Sequence, residues 1–241
     1  MRIAVLSDIH GNADALAAVM LDLAEQSPDR TFNLGDCFSG PLDVVRTADL
    51  LAELDATTVC GNHDRALIGG GAHDIWDASA APFMPRAALD WIATLPQTLH
   101  LDTVFACHAT PQDDATFWTE AMVGGKPERN GLAKIEALAG DIRAEVLFCG
   151  HTHVARSLRL SDGRLVVNPG SVGCPGFVDR ELNPAYIMSV GVPHASYALL
   201  DRSARGWTIN LRQVPYDTKP AIARAADFPD WVAALGSGWA A

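Results

Sequence analysis

The sequence predicts an α/β fold, and three observations carry that prediction. Short apolar runs alternate with amphipathic stripes from the N-terminus onward. At 241 residues the chain is long enough for one well-packed α/β domain and too short for two generous ones. Hydrophobic residues make up 49% of it, enough for a sizeable core, and no stretch has a disordered composition.

Taken in order, Arg2 to Ser7 is a compact apolar strand. Asn12 offers an N-cap, and Leu16, Val19, Met20, Leu23 and Ala24 then fall on one face of a helix. Thr31 to Leu34 gives a second strand; Val44, Ala48, Leu51 and Ala52 repeat the helical stripe; Thr57 to Cys60 supplies a third strand. This alternation at short intervals implies right-handed crossovers and a parallel sheet covered on both faces. Residues 74 to 96 read as helical and proline-broken. Thr98 to His100 and Thr103 to Cys107 flank a Leu101-Asp102 turn, as in a hairpin. Residues 113 to 130 are polar, carry Gly124-Gly125 and show no firm period, which reads as a long loop or short helix able to act as a lid. A helix around Leu132 to Leu138 leads to a strand from Glu145 to Phe148. Ala155 to Leu160 and Arg164 to Val167 form a hairpin around Asp162-Gly163, Tyr197 to Asp201 pairs with Trp207 to Val214, and two short helices close the chain. Without an internal repeat, low-complexity tract or linker, residues 1 to 241 are expected to form a single domain.

The polar residues collect where the strands end. SDIHGN contributes Asp8 and His10, NLGDCFSG contributes Asp36, CGNHDR contributes Asn62 and His63, ACHATP contributes His108, and GHTH contributes His151 and His153. In open parallel sheets the loops beyond the strand carboxyl ends form the ligand crevice, so these donors converge on one rim. Any one fragment is weak evidence; five, each directly after a predicted strand, are not coincidence. Mixed imidazole, carboxylate and amide donors suit borderline divalent metals such as manganese, iron, cobalt, nickel or zinc. Seven ligands exceed what one ion with an open position needs, so two ions sharing a carboxylate fit better. Such a pair clamps the attacking and leaving oxygens of an in-line displacement, the arrangement for phosphate-ester hydrolysis.

The ordered series DIHGN, GD, GNHD, H and GHTH resembles the calcineurin-like metallophosphoesterase superfamily. NPGSVG at residues 168 to 173 and the chain length are similar to its small bacterial phosphodiesterase branch. The likeness covers roughly residues 1 to 175. It implies a four-layer αββα sandwich, two mixed β-sheets flanked by helices. It also implies a dinuclear site in which Asp8, His10 and His153 bind one divalent ion, Asn62, His108 and His151 bind the other, and Asp36 bridges them. Manganese is the expected metal. His63 becomes the residue that contacts substrate and protonates the leaving group, in a phosphodiesterase whose nucleophile is a hydroxide bridging the metals. Two departures stand out: Ala109 follows His108 where relatives often have glycine, and CFSGPLD after Asp36 has little aromatic content for stacking a nucleobase.

Other expectations are less specific. Arg65 and Asn12 are candidate substrate contacts, although a surface ion pair and a helix cap would explain them equally well. Asp64 is a candidate partner for the His63 imidazolium. The 168 to 173 run reads as a structural turn or a phosphate cradle. His73, His100 and His194 have no motif around them. Five cysteines without CxxC spacing argue for a reducing cytosol, and Cys37, Cys60, Cys107 and Cys149 near the motifs read as small buried hydrophobes. MRIAVLSD is no signal peptide, and no apolar stretch is long enough for a bilayer span, so a cytoplasmic protein without membrane contact is expected.

A formal charge of −11 disfavours nucleic acid as a partner, because such binding rests on basic side chains facing phosphates. Small phosphate esters stay compatible, since bound cations reverse the local charge. Phosphomonoesters and dinucleoside polyphosphates remain open as substrates, as does a homo-oligomeric state. A protein-binding scaffold that has lost catalysis would show eroded ligands, whereas all seven and His63 are present.

Overall fold

A computed structural model describes residues 1–69, 74–180 and 182–240. His73 lies outside them. The elements run β1 (Arg2–Leu6), α1 (Ala13–Gln26), β2 (Arg30–Asn33), α2 (Val44–Glu53), β3 (Thr57–Thr58), α3 (Asn62–Ile68), α4 (Ile75–Ala80), α5 (Arg86–Ile92), β4 (Thr98–Leu101), β5 (Val104–Cys107), β6 (Glu120–Val123) and β7 (Lys126–Arg129). They continue with α6 (Leu132–Ala139), β8 (Val146–Phe148), β9 (Arg156–Arg159), β10 (Leu165–Asn168), β11 (Gly176–Asp179), β12 (Tyr186–Ser189), β13 (Ala195–Ser203), β14 (Gly206–Val214), α7 (Lys219–Arg224) and α8 (Pro229–Ser237). Among the described residues no helix is long and apolar enough to cross a membrane.

Two five-stranded mixed sheets form the centre, one ordered β14-β13-β1-β2-β3 and the other β4-β5-β8-β10-β9. Strands β1, β2 and β3 are parallel, and β13 adds antiparallel to the free side of β1. In the second sheet β5, β8 and β10 are parallel and β4 and β9 close its edges antiparallel. The parallel sheet with helices on both faces, as read from the helix–strand alternation, is therefore corrected: one face of the first sheet is covered by the second sheet. Strand β1 shows why the sequence cannot tell these apart. Ile3 and Val5 pack between the sheets with Phe32, Val104, Phe148 and Leu200, while Ala4 and Leu6 face α1 and α2. Both faces are dry in either arrangement, so both yield an unbroken apolar run.

Helices cover the outer faces, giving the four layers that the resemblance implies. Asn12 starts α1 by accepting a hydrogen bond from the Ala15 amide at 3.1 Å. Leu16, Val19 and Leu23 of α1 are then buried against the first sheet, each side chain contributing roughly 1.5–3 kcal/mol. On the far side, Ile135 and Ala139 of α6 pack on Phe105, Leu147 and Val166.

Residues 113 to 130 are not a loop or helix alone: they contain the hairpin β6–β7. Its turn is Gly124-Gly125, both with positive φ (57° and 77°), the geometry a two-residue hairpin turn requires. The strands escaped notice because only Glu120 of β6 is buried, tied to Arg156 at 2.6 Å, so no apolar period exists to be read. A second hairpin, β11–β12, was also unexpected; it packs beside α8.

Candidate metal centre

The carboxyl ends of β1, β2, β3, β5 and β8 meet at one rim of the sandwich, and their loops are knitted together by backbone bonds. The Asp8 amide donates to Gly35 and the His10 amide to Asp36, while Gly173 donates back to Asp8, each at 3.0 Å. The NPGSVG run is a brace: Asn168 holds the Gly150 carbonyl at 2.7 Å, and Ser171 holds that of Asp8 at 2.7 Å. Close approach explains one glycine directly, for a Cβ on Gly61 would sit 2.1 Å from Asp36 Oδ1. Asp8, His10, Asp36, His151 and His153 all have φ between 51° and 66°, a left-handed conformation that non-glycine residues adopt only when their surroundings force it.

Six of the seven expected ligands fall into two tight groups. Donor atoms of Asp8, His10 and His153 lie within 4.8 Å of one another, as do those of Asp36, His108 and His151. Asn62 joins the second group, its Oδ1 3.0 Å from His108 Nε2. Each imidazole is anchored through one nitrogen to a backbone carbonyl: His10 Nδ1 to Ser39 at 2.8 Å, His108 Nδ1 to Leu34 at 2.7 Å, His153 Nδ1 to Cys174 at 3.0 Å, and His151 Nε2 to Ala115 at 2.8 Å. A carbonyl only accepts, so the anchored nitrogen carries the proton and the other presents a lone pair.

Those lone pairs meet other acceptors. His10 Nε2 is 3.2 Å from His153 Nε2, and His108 Nε2 is 3.1 Å from Asp36 Oδ2. Among the described residues the buried Asp8 Oδ1 has no hydrogen-bond partner. Acceptors converging without donors repel unless a proton or cation lies among them, so these residues fit divalent cations. Burial lowers His10 to about 3 and His151 to about 4, which keeps both rings neutral. At His108 and His153 burial is outweighed by Asp36 and Asp8, which raise His108 to about 9 and also raise His153, so that without a cation a proton occupies each group. No cysteine belongs to either group among the described residues. Burial pushes the Cys60 thiol up to about 12 and raises Cys37, Cys107 and Cys149 well above the ordinary range, so they pack as thiols.

His63 stands beside this centre, its ring 5.5 Å from that of His10 and stacked 5.7 Å from Trp76. Its Nδ1 lies 3.0 Å from Asp77 Oδ1, and that carboxylate also accepts from Ser39 Oγ. Burial opposes protonation of His63, but Asp36 and the hydrogen-bonded Asp77 outweigh it and raise the imidazole to about 9. Asp77 therefore replaces Asp64 as its partner. Asp64 faces the other way, accepting from the amides of Asp36, Cys37 and Gly61 at 2.7, 2.9 and 3.2 Å. The two expected substrate contacts are both engaged with protein groups. Asn12 is consumed by its cap, by Gly173 at 2.8 Å and by Tyr216 at 3.0 Å. Arg65 is held by Asp114 through two bonds of 2.6 and 3.0 Å, and neither residue lines the cavity above the centre.

That cavity holds about 720 Å³, with Asp36, Asn62, His63, His151 and His153 at its floor and Trp76, Phe117, Phe177, Phe228 and Trp231 in its walls. The sequence reading missed all five aromatic residues. They come from four separate segments, and no motif links those segments in the sequence.

Residues 1–190 match a family model described as the calcineurin-like phosphoesterase superfamily domain. The uncharacterized protein MJ0912 of Methanocaldococcus jannaschii is 25% identical, over 95% of each chain. Among solved structures, a metallophosphoesterase from Sphaerobacter thermophilus has a TM-score of 0.73 at 25% identity, covering 99% of both chains. Hypothetical protein PH1004 from Pyrococcus horikoshii OT3 has a TM-score of 0.72 at 19% identity, covering 100% of this chain and 99% of its own. The paired donor groups at the ends of parallel strands, in a fold shared with these proteins, thus sit inside the matched segment, and the chain belongs to the calcineurin-like phosphoesterase superfamily.

Proposed function

We propose that this protein hydrolyses a small phosphodiester, with two divalent cations held by Asp8, His10 and His153 on one side and by Asn62, His108 and His151 on the other, Asp36 bridging. The observation that carries this reading is the pair of carboxylate–imidazole clusters, of which Asp36, His151 and His153 line the floor of one cavity. When bound, the cations would supply Lewis-acid polarisation of the phosphoryl oxygens and activation of water near neutral pH. Manganese is the proposed metal; the donor set suits iron, zinc, nickel or cobalt too.

The protein's own part is positioning and proton supply. Asp77 accepts from His63 Nδ1 and fixes the ring, so Nε2 is the nitrogen left to give a proton to the departing oxygen. The walls keep water from the remainder of the ester. A diester is favoured over a monoester by charge: among the described lining residues the only guanidinium is that of Arg180, hydrogen-bonded to Asp230. Beyond the His63 imidazolium, little is left to neutralise the second charge of a monoester.

The test compares bis(4-nitrophenyl) phosphate with 4-nitrophenyl phosphate on manganese-loaded protein. A kcat/KM at least tenfold higher for the diester is expected. Preference for the monoester would overturn the diester assignment, and no hydrolysis of either would overturn the activity.

A further inference from the structure

The matched family segment ends at residue 190, yet part of the cavity wall is built after it. Phe228 precedes α8 and Trp231 lies in its first turn. Trp231 packs edge-on against Trp76 with ring centroids 5.0 Å apart, and its ring lies 6.3 Å from that of His10. Trp76 in turn meets Phe177 edge-on at 5.8 Å, and Phe177 reaches His153 at 5.0 Å. An aromatic wall thus runs from the metal centre to the C-terminal helix. Within it Trp231 is only 2% exposed, so it supports Trp76, while Trp76, Phe177 and Phe228 are the half-buried rings of the wall.

The charges of the same cavity say what a ligand there lacks. Away from the floor, where His63 is the cationic side chain, Asp74 and Asp227 line it, and among the described lining residues the only guanidinium, that of Arg180, is hydrogen-bonded to Asp230. A second phosphate carried outward from the metals would enter a field of its own sign. A volume of about 720 Å³ suits one small molecule rather than a polymer.

Resting on the phosphodiesterase reading, we infer that the C-terminal helix and the Trp76–Phe177 wall form a specificity pocket. Its ligand is a phosphodiester one of whose two groups is a single aromatic ring without further phosphate. Dinucleoside polyphosphates and nucleic acid are excluded by this pocket.

Isothermal titration of the manganese-loaded protein with non-hydrolysable phosphonates tests the pocket apart from turnover. Phenylphosphonate should bind about tenfold more tightly than methylphosphonate. Benzene-1,4-diphosphonate should bind about tenfold more weakly than phenylphosphonate. Trp76→Leu keeps an apolar side chain and removes the ring, and should weaken phenylphosphonate by about three- to tenfold. Asp227→Lys changes an exposed residue, so folding is not at issue, and should narrow the gap between the mono- and diphosphonate. Equal affinities for phenyl- and methylphosphonate, or no binding of either, would overturn the aromatic pocket. A diphosphonate that binds as well as phenylphosphonate would overturn the exclusion of a second phosphate. Retained phenyl preference in a protein that hydrolyses no ester would instead remove the activity and leave the pocket standing.

Discussion

Replacing Gly61 by alanine tests whether the position of Asp36 is what holds the centre together. The added Cβ would lie 2.1 Å from Asp36 Oδ1, 2.5 Å from its amide nitrogen and 2.8 Å from Cγ. Non-bonded atoms meet at roughly 3.5 Å, so the carboxylate or its backbone must retreat by about 1 Å. Little freedom exists for that retreat. Oδ1 accepts from the His63 amide at 2.9 Å, Oδ2 faces His108 at 3.1 Å, and the Asp36 amide is pinned by Asp64 at 2.7 Å. Overpacking of this kind costs about 1–3 kcal/mol. At this chain length that amounts to a melting temperature lower by about 2–12 °C. Displacing a proposed bridging ligand should in addition weaken metal binding about 10–100-fold, the range seen when supports of a metal site are lost. Gly131→Ala is the matched control, because nothing lies within 4 Å of its added Cβ. Scanning calorimetry and elemental analysis of both variants after dialysis decide the matter. A Gly61→Ala protein with full metal content and the control's melting temperature would refute the reasoning.

Four further outcomes are expected. His63→Asn should keep metal and fold but lose roughly 10²–10⁴ in rate on esters with poor leaving groups, and less on nitrophenyl esters; steady-state rates across a leaving-group series check this, and a uniform loss would reassign His63. Asp36→Ala should lose metal more completely than Asp8→Ala does, as read by elemental analysis, because the bridging carboxylate is proposed to touch both ions. Cys107→Ala or Cys149→Ala should cost on the order of 1 kcal/mol in denaturant titrations and leave metal content unchanged. Asp22, hydrogen-bonded by Arg212 at 2.8 Å and by Tyr197, has its carboxyl held below the ordinary value, with the Arg212 hydrogen bond the largest cause. The stability it contributes is therefore present above about pH 4 and lost as pH falls through the lowered folded value. Asp22→Asn should flatten the melting-temperature profile in that acid window alone.

Much of the architecture was legible because the first three strands and two helices keep strict periods, and each strand ends in a short polar fragment. That the candidate ligands would gather in one place was legible for the same reason: a strand end is a fixed point, and whatever follows it lands on the rim. The rest depends on contacts between distant segments. Both faces of β1 are dry whether helices or a second sheet cover them, so the second sheet leaves no mark on Ile3 to Leu6. Hairpin β6–β7 buries too little to carry an alternating pattern. Arg65 and Asn12 were candidates by proximity to motifs, and only the fold supplies Asp114, Gly173 and Tyr216 as their partners. Asp77 lies fourteen residues beyond His63 with no motif linking them, so its hydrogen bond could not be foreseen.

The left-handed backbone at Asp8, His10, Asp36, His151 and His153 sets stability against the proposed metal binding at the same five positions. Each such residue holds about 1–3 kcal/mol of conformational energy that glycine would release. Selection for heat resistance alone, with no demand for turnover, would therefore find glycine at these sites early and arrive at a sturdier, inert protein. Long retention of non-glycine residues there in a lineage would be a record of continuous use, readable from the chain without any assay.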